Sequence, residues 1–94
     1  MGIKINTLGN EKTLKIDGMF VAIGQQPENE PFQNAVKLND YGYIISGEDC
    51  VPENAESGIY VAGDCRTKAI RQVATAVSDG AVAALSACRF IDQL

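Results

Sequence analysis

The run Gly58-Ile59-Tyr60-Val61-Ala62-Gly63-Asp64 constrains this chain more than any other stretch. Ile59–Ala62 reads as a short buried strand that stops abruptly at a glycine and an aspartate. Small residues at Ala62 and Gly63 let a ligand approach the backbone closely. Asp64, just past the strand, can accept hydrogen bonds from a sugar or polyol hydroxyl. In open α/β sheets, ligands collect outside the carboxyl ends of strands, and this is such an end. A polar connection follows, and then a helix whose N-terminal amides and partial positive charge face the same place. The Gly-Asp dipeptide by itself is equally well read as ordinary turn punctuation.

From Arg71 onward the pattern is helical. Val73, Val77, Ala81, Ala84, Leu85, Cys88 and Ile91 recur at intervals of three and four and form one apolar stripe, expected to face a core. Cys88 lies on that stripe and reads as a small core residue. Six alanines between Ala74 and Ala87 favour the helix and keep its surface thin. Gly80 costs about 1 kcal/mol relative to alanine in a helix interior, so it is either simply tolerated or, the favoured reading, a point where another backbone packs close.

Upstream, residues 3–7 and 13–17 alternate with period two around Leu8–Lys12, which predicts a half-exposed antiparallel hairpin. Met19–Ile23 is a continuous apolar run, the signature of a strand covered on both faces. Residues 25–34 carry two prolines and several amides and read as a linker or hinge. Val36–Leu38 and Tyr43–Ile45 flank Asn39–Gly42 as a second hairpin. Residues 46–57 form an acidic surface loop. The organisation is therefore 1–24, 25–34 and 35–94.

Ninety-four residues allow one small domain or a piece of a larger one. A net charge of −4 with no basic cluster argues against nucleic acid or an anionic membrane surface as partner. No apolar run is expected to approach the length of a membrane span, and the first ten residues lack a signal-peptide core. The expected setting is cytoplasmic. No histidine is present, which excludes a Ser-His-Asp triad and histidine acid–base chemistry. Cys50, Cys65 and Cys88 are scattered, with no Cys-x-x-Cys, so no metal site is expected. Cys65 reads as an inert thiol, the alternative being a thiolate favoured by Arg66 and Lys68.

The fold class is α/β, and it does not close. Met19–Ile23 and Ile59–Ala62 both read as internal strands, yet only two hairpins and one long helix are available to flank and cover them. Such a chain reads as the end of a longer one.

The motifs resemble the C-terminal part of the low-molecular-weight bacterial thioredoxin reductases, over essentially the whole chain. Lys4–Asp17 is similar to the last hairpin of the pyridine-nucleotide domain that interrupts the flavin domain in that family. Asp17–Pro27 resembles its exit strand, "DGVFVAIGxxPN", with Glu28 standing before Asn29. Tyr41-Gly42-Tyr43-Ile44 resembles the "NGYI" of the returning flavin domain. Gly58–Asp64 resembles "PGIFAAGD", with Ser57 in place of the usual proline, and Arg71-Gln72 follows Asp64 at the family's spacing.

The resemblance implies an incomplete piece of a two-dinucleotide-binding-domain flavoprotein: hairpin and exit strand, second hairpin, buried strand, long C-terminal helix. It implies FAD as cofactor, with Gly63 and Asp64 at its ribityl and pyrophosphate region and Arg71, Gln72 and Val73 at the helix N-terminus beside the pyrimidine side of the ring. Arg71 has a second reading as a surface helix charge. The family's glycine-rich FAD and NADPH loops and its Cys-x-x-Cys do not occur in these residues. The implied partners are the missing N-terminal part of the parent and, for that parent, a thioredoxin-like protein. The electron donor is NADPH, whose site lies outside this chain, or ferredoxin. Alone, the chain is expected to be inactive. The alternatives are a peroxiredoxin-reductase or ferredoxin–NADP-reductase piece, a non-catalytic module that self-associates into a homo-oligomer, and an unrelated small α/β domain.

Overall fold

In the computed structural model, which describes residues 1–94, the period-two alternation at the N-terminus closes into a hairpin. Strand β1 (Gly2–Thr7) pairs antiparallel with β2 (Asn10–Lys15), Thr7 standing opposite Asn10. The connection is only Leu8-Gly9, with φ of 52° and 85°. Two positive φ values match the twist of the flanking strands, so Asn10–Lys12 join the ladder rather than the wider loop expected. The Gly9 amide donates to Asn6 Oδ1 at 3.1 Å and fixes the turn.

The run Met19–Ile23 does not pair. No strand forms there, and Phe20 is 98% exposed. The expectation of a strand covered on both faces is corrected for this chain: an internal strand needs neighbours, and the other residues supply none. The second hairpin is present in minimal form. Leu38 and Ile44 make one antiparallel bridge, the Asn39 amide donates to the Tyr43 carbonyl at 2.8 Å, and the Ile45 amide donates to Lys37 at 2.9 Å. Asn39 Oδ1 accepts from the Tyr41 and Tyr43 amides, which holds the turn closed.

Ile44 also bridges Arg66 in parallel, through Ile44 N to Cys65 O and Thr67 N to Ile44 O. This pairing carries the chain after Asp64 alongside the second hairpin. The buried strand expected at Ile59–Ala62 is corrected: the segment has no ladder of its own, and Val61 N, donating to Cys50 O, and Tyr60 Oη, donating to Ser86 O at 3.2 Å, tie it in. Val61 is nevertheless buried, and with Val36 and Ile44 it forms a small core packed by Leu38, Ala55, Ile59 and Cys65. The linker is anchored to this body. Asn29, 5% exposed, donates its side-chain amide to Gly42 O and Cys65 O at 2.9 and 2.8 Å. A 3-10 turn follows at Glu30–Phe32.

Helix α1 spans Val73–Asp92. The face it turns inward is Thr75, Ala76, Asp79, Val82, Ala83, Ser86, Ala87 and Phe90. This corrects the expected stripe: Val73, Val77, Ala81, Ala84, Leu85, Cys88 and Ile91 are all exposed, Leu85 at 61%. Small residues on the inner face let the helix lie close to residues 58–66, and a buried carboxylate there outweighs the larger side chains on the outer face. Cys88 is consequently a surface residue, and Gly80 faces open space rather than a neighbouring backbone. The close approach is at Gly58, where an added Cβ would come within 3.1 Å of the Phe90 ring. By length and composition α1 is long and apolar enough to cross a bilayer, which corrects the expectation that no run approaches that length; here it docks through Asp79.

Candidate functional site

The strand-tip motif is built around glycine at position 63. Its φ of 94° turns the chain sharply between Ala62 and Asp64. The Gly63 amide points at α1 and donates to Asp79 Oδ2 at 3.0 Å. Asp64 then sits on the surface. Two residues on, Arg66 folds inward and is 1% exposed.

Asp79 is the hub of a buried ion cluster. Arg66 Nε donates to its Oδ2 at 2.9 Å and Nη2 to its Oδ1 at 3.0 Å, a bidentate fork. Lys68 Nζ donates to the same Oδ2 at 2.8 Å, with its side chain 4% exposed. Glu48 caps the cluster from the solvent side, 3.3 Å from Arg66 Nη2. Hydrogen bonds from Arg66, then Lys68, then the Gly63 amide hold the Asp79 carboxyl well below the usual aspartate range, against the opposing effect of burial. The same bond to Asp79 raises Arg66 above an ordinary guanidinium. Burial, reinforced by Asp79, pushes the Cys50 thiol up; its Sγ donates to the Asp79 carbonyl at 3.5 Å. Sequence reasoning missed this cluster. The available signal was one acid inside an alanine-rich helix, downstream of a basic pair at Arg66 and Lys68.

Arg71 reaches back across the strand tip. Nε donates to the Asp64 carbonyl at 3.1 Å and Nη2 to the Arg66 carbonyl at 3.0 Å, while the guanidinium lies 3.8 Å over the Tyr43 ring. Asp64 and Arg71 therefore line one cleft of about 200 Å³ with Gln25, Gln26, Pro27, Tyr43 and Cys65. Gly63 lies behind it, its amide committed to Asp79. Gln72 and Val73 open the helix and do not line this cleft; the Gln72 amide is taken by Thr75 Oγ1 at 3.0 Å. The cleft combines an exposed carboxylate, which accepts hydroxyl hydrogen bonds, with a guanidinium and an aromatic face. It is smaller than the roughly 300–1,000 Å³ of a ligand pocket that encloses its guest, so it grips part of a large cofactor at most.

Comparison with known proteins decides the family. Residues 2–80 match the family described as pyridine nucleotide-disulphide oxidoreductase. The chain belongs to that family. A 34.2 kDa protein in the rubredoxin operon of Clostridium pasteurianum is 47% identical over 92% of this chain and 28% of its own length. Thioredoxin reductase of Bacillus subtilis is 40% identical over 92% of this chain and 27% of its own. Among solved structures, thioredoxin reductase of Lactococcus lactis superposes with a TM-score of 0.75 at 32% identity, covering 93% of this chain and 28% of that one. The enzyme from T. acidophilum gives 0.74 at 35% identity, covering 98% and 30%. This family member thus spans a little over a quarter of the length of the relatives it matches, and it corresponds to a portion of a thioredoxin-reductase-type protein. An incomplete α/β fold, with a hairpin and a long final helix, is what such a portion contains.

Proposed function

We propose that this chain is the C-terminal, flavin-site portion of a thioredoxin-disulfide-reductase-like flavoenzyme. In that reading the whole protein passes electrons from NADPH or ferredoxin through FAD to a protein disulfide. The observation that carries it is the shared cleft: Asp64 and Arg71 meet at the end of the 59–62 segment, immediately before the N-terminus of α1. Asp64 accepts a hydrogen bond from a ribityl hydroxyl. Arg71 would hold the pyrimidine side of the ring from within the cleft, and the N-terminus of α1 behind it, capped by Gln72 and starting at Val73, would favour negative charge there. FAD, when bound, supplies the two-electron chemistry; the chain's own residues bind, orient and stabilise charge.

The chain by itself neither holds FAD tightly nor reduces thioredoxin, because it offers one edge of a site. The test is to purify the 94-residue chain, and in parallel a chimera in which it replaces the matching part of the Bacillus subtilis thioredoxin reductase. The chimera is expected to be yellow and to reduce thioredoxin with NADPH, and the isolated chain to be colourless. A folded but flavin-free chimera overturns the flavin-site assignment. Stoichiometric flavin on the isolated chain overturns only the statement that it does not hold FAD tightly.

A second reading, a self-associating module without catalysis, is favoured by the exposed stripe Val73, Val77, Leu85 and Ile91. Size-exclusion mass with and without FAD separates it from the first.

A further inference from the structure

We infer that Asp79, two turns inside α1, is the positioning residue of the strand tip: it fixes the Gly63-Asp64 turn and so the direction in which Asp64 presents its carboxylate. As a statement about flavin binding this rests on the function proposed above; as a statement about the turn it does not.

The geometry is specific. Gly63 adopts a left-handed conformation, and its amide donates to Asp79 Oδ2. That same oxygen also accepts from Arg66 Nε and Lys68 Nζ, so it is held by three donors from the loop on either side of Asp64. Arg66 is locked further by Nη1 donating to Thr67 O at 2.7 Å and Nη2 to Asp79 Oδ1. Asp64 thus sits between two anchored neighbours, Gly63 and Arg66, both referred to one carboxylate on the helix. Arg71 adds the last tie, to the Asp64 carbonyl. The Asp64 carboxylate alone is left to the cleft. A carboxylate suits the role where an amide does not: it accepts at every position, whereas one end of an asparagine would meet Arg66 or Lys68 donor to donor.

The test uses the full 94-residue chain, isotope-labelled, as wild type, Asp79→Asn and Asp64→Asn, titrated with FAD and followed by NMR. In wild type the Gly63 amide proton is expected downfield, coupled through the hydrogen bond to Asp79 Cγ, and slow to exchange. In Asp79→Asn, exchange at Gly63 rises by about tenfold or more while the Val61 amide, held by Cys50, keeps its protection. Weak FAD binding, read from the Gly63, Asp64 and Arg71 resonances, falls by a comparable factor in Asp79→Asn and disappears in Asp64→Asn. Unchanged exchange at Gly63 overturns the inference, as does loosened exchange with unchanged FAD affinity. Should Asp79→Asn fail to fold, the through-bond coupling in wild type decides: its absence overturns the inference and its presence upholds it. If wild type shows no response to FAD, the flavin reading fails, and the positioning of the turn is still decided by exchange and coupling.

Discussion

Arg71 Nε donates to the carbonyl oxygen of Asp64 at 3.1 Å, closing a loop between the residue after the Gly63 turn and the last before the helix cap. The side chain expected to face a cofactor is therefore also a brace for the residue that would grip it. The brace and the cleft wall are one group: the guanidinium bonds two carbonyls on one edge and covers Tyr43 with its face.

Replacing Arg71 tests the brace. Two hydrogen bonds contribute roughly 0.5–1.5 kcal/mol each, discounted for partial exposure, and the Tyr43 contact about 0.5–1. Arg71→Ala is expected to lower the unfolding free energy by about 1–2 kcal/mol in urea titrations. Arg71→Lys recovers less than half of it, because an ammonium cannot fork to two carbonyls while stacking on a ring. Full recovery with lysine would mean that charge alone matters at this position.

The Asp79 cluster makes stability depend on acidity in a defined direction. Its carboxyl titrates below the ordinary value, so its contribution is present above the unfolded aspartate pKa near about 4 and is lost as pH falls toward the lowered folded value. Asp79→Asn removes that dependence. Measured from about pH 6 down to about pH 2, the stability gap between wild type and Asp79→Asn should shrink steadily. At neutral pH the gap is about 3–5 kcal/mol, the usual result of leaving a buried partner charge uncompensated. A gap constant with pH would show that the folded chain does not hold the Asp79 carboxyl below its unfolded value, and a gap that widened toward low pH would show a carboxyl kept neutral in the folded chain.

The strand-tip motif was readable because local chemistry determines it. A glycine free to adopt positive φ, an aspartate after it and a helix capped by Gln72 need no distant partner to be recognised. The first hairpin was readable for the same reason, apart from its turn, where Leu8 accepts a φ of 52° that its side chain disfavours. What escaped the sequence is long-range. Periodicity told that α1 has a continuous apolar stripe but not which face docks, and the choice was made by Asp79 meeting Arg66 and Lys68. Met19–Ile23 carries the composition of an internal strand, and composition cannot supply the neighbours that would pair it.

The three cysteines should separate by reactivity. Cys88 is on the exposed face of α1, Cys65 is partly covered with its Sγ donating to the Ala62 carbonyl at 3.4 Å, and Cys50 is fully buried. Thiolate is the reacting form, and burial with Asp79 nearby disfavours it at Cys50. A native-state maleimide time course is expected to label Cys88 first, Cys65 next and Cys50 only on unfolding. The neutral Cys50 thiol contributes stability below its unfolded pKa, and this is lost as pH rises through the raised folded value. Early labelling of Cys50 would mean that α1 lifts from residues 47–50 without global unfolding.

The helix face that docks can be tested with two substitutions of opposite expectation. Leu85 is 61% exposed, so Leu85→Gln should change the unfolding free energy of the monomer by no more than about 0.5 kcal/mol. Phe90 is half-buried with its ring against Gly58, so Phe90→Ala should cost about 1 kcal/mol, near half the value for full burial. Gly58→Ala should be worse than Gly63→Ala, since both residues have φ of 94° but only at Gly58 would a Cβ press on the Phe90 ring, at 3.1 Å against 4.0 Å to Ala76. Denaturant titration at low protein concentration reads all four variants. A large loss at Leu85 with none at Phe90 would mean that the apolar stripe, not the small-residue face carrying Asp79, holds the helix to the chain.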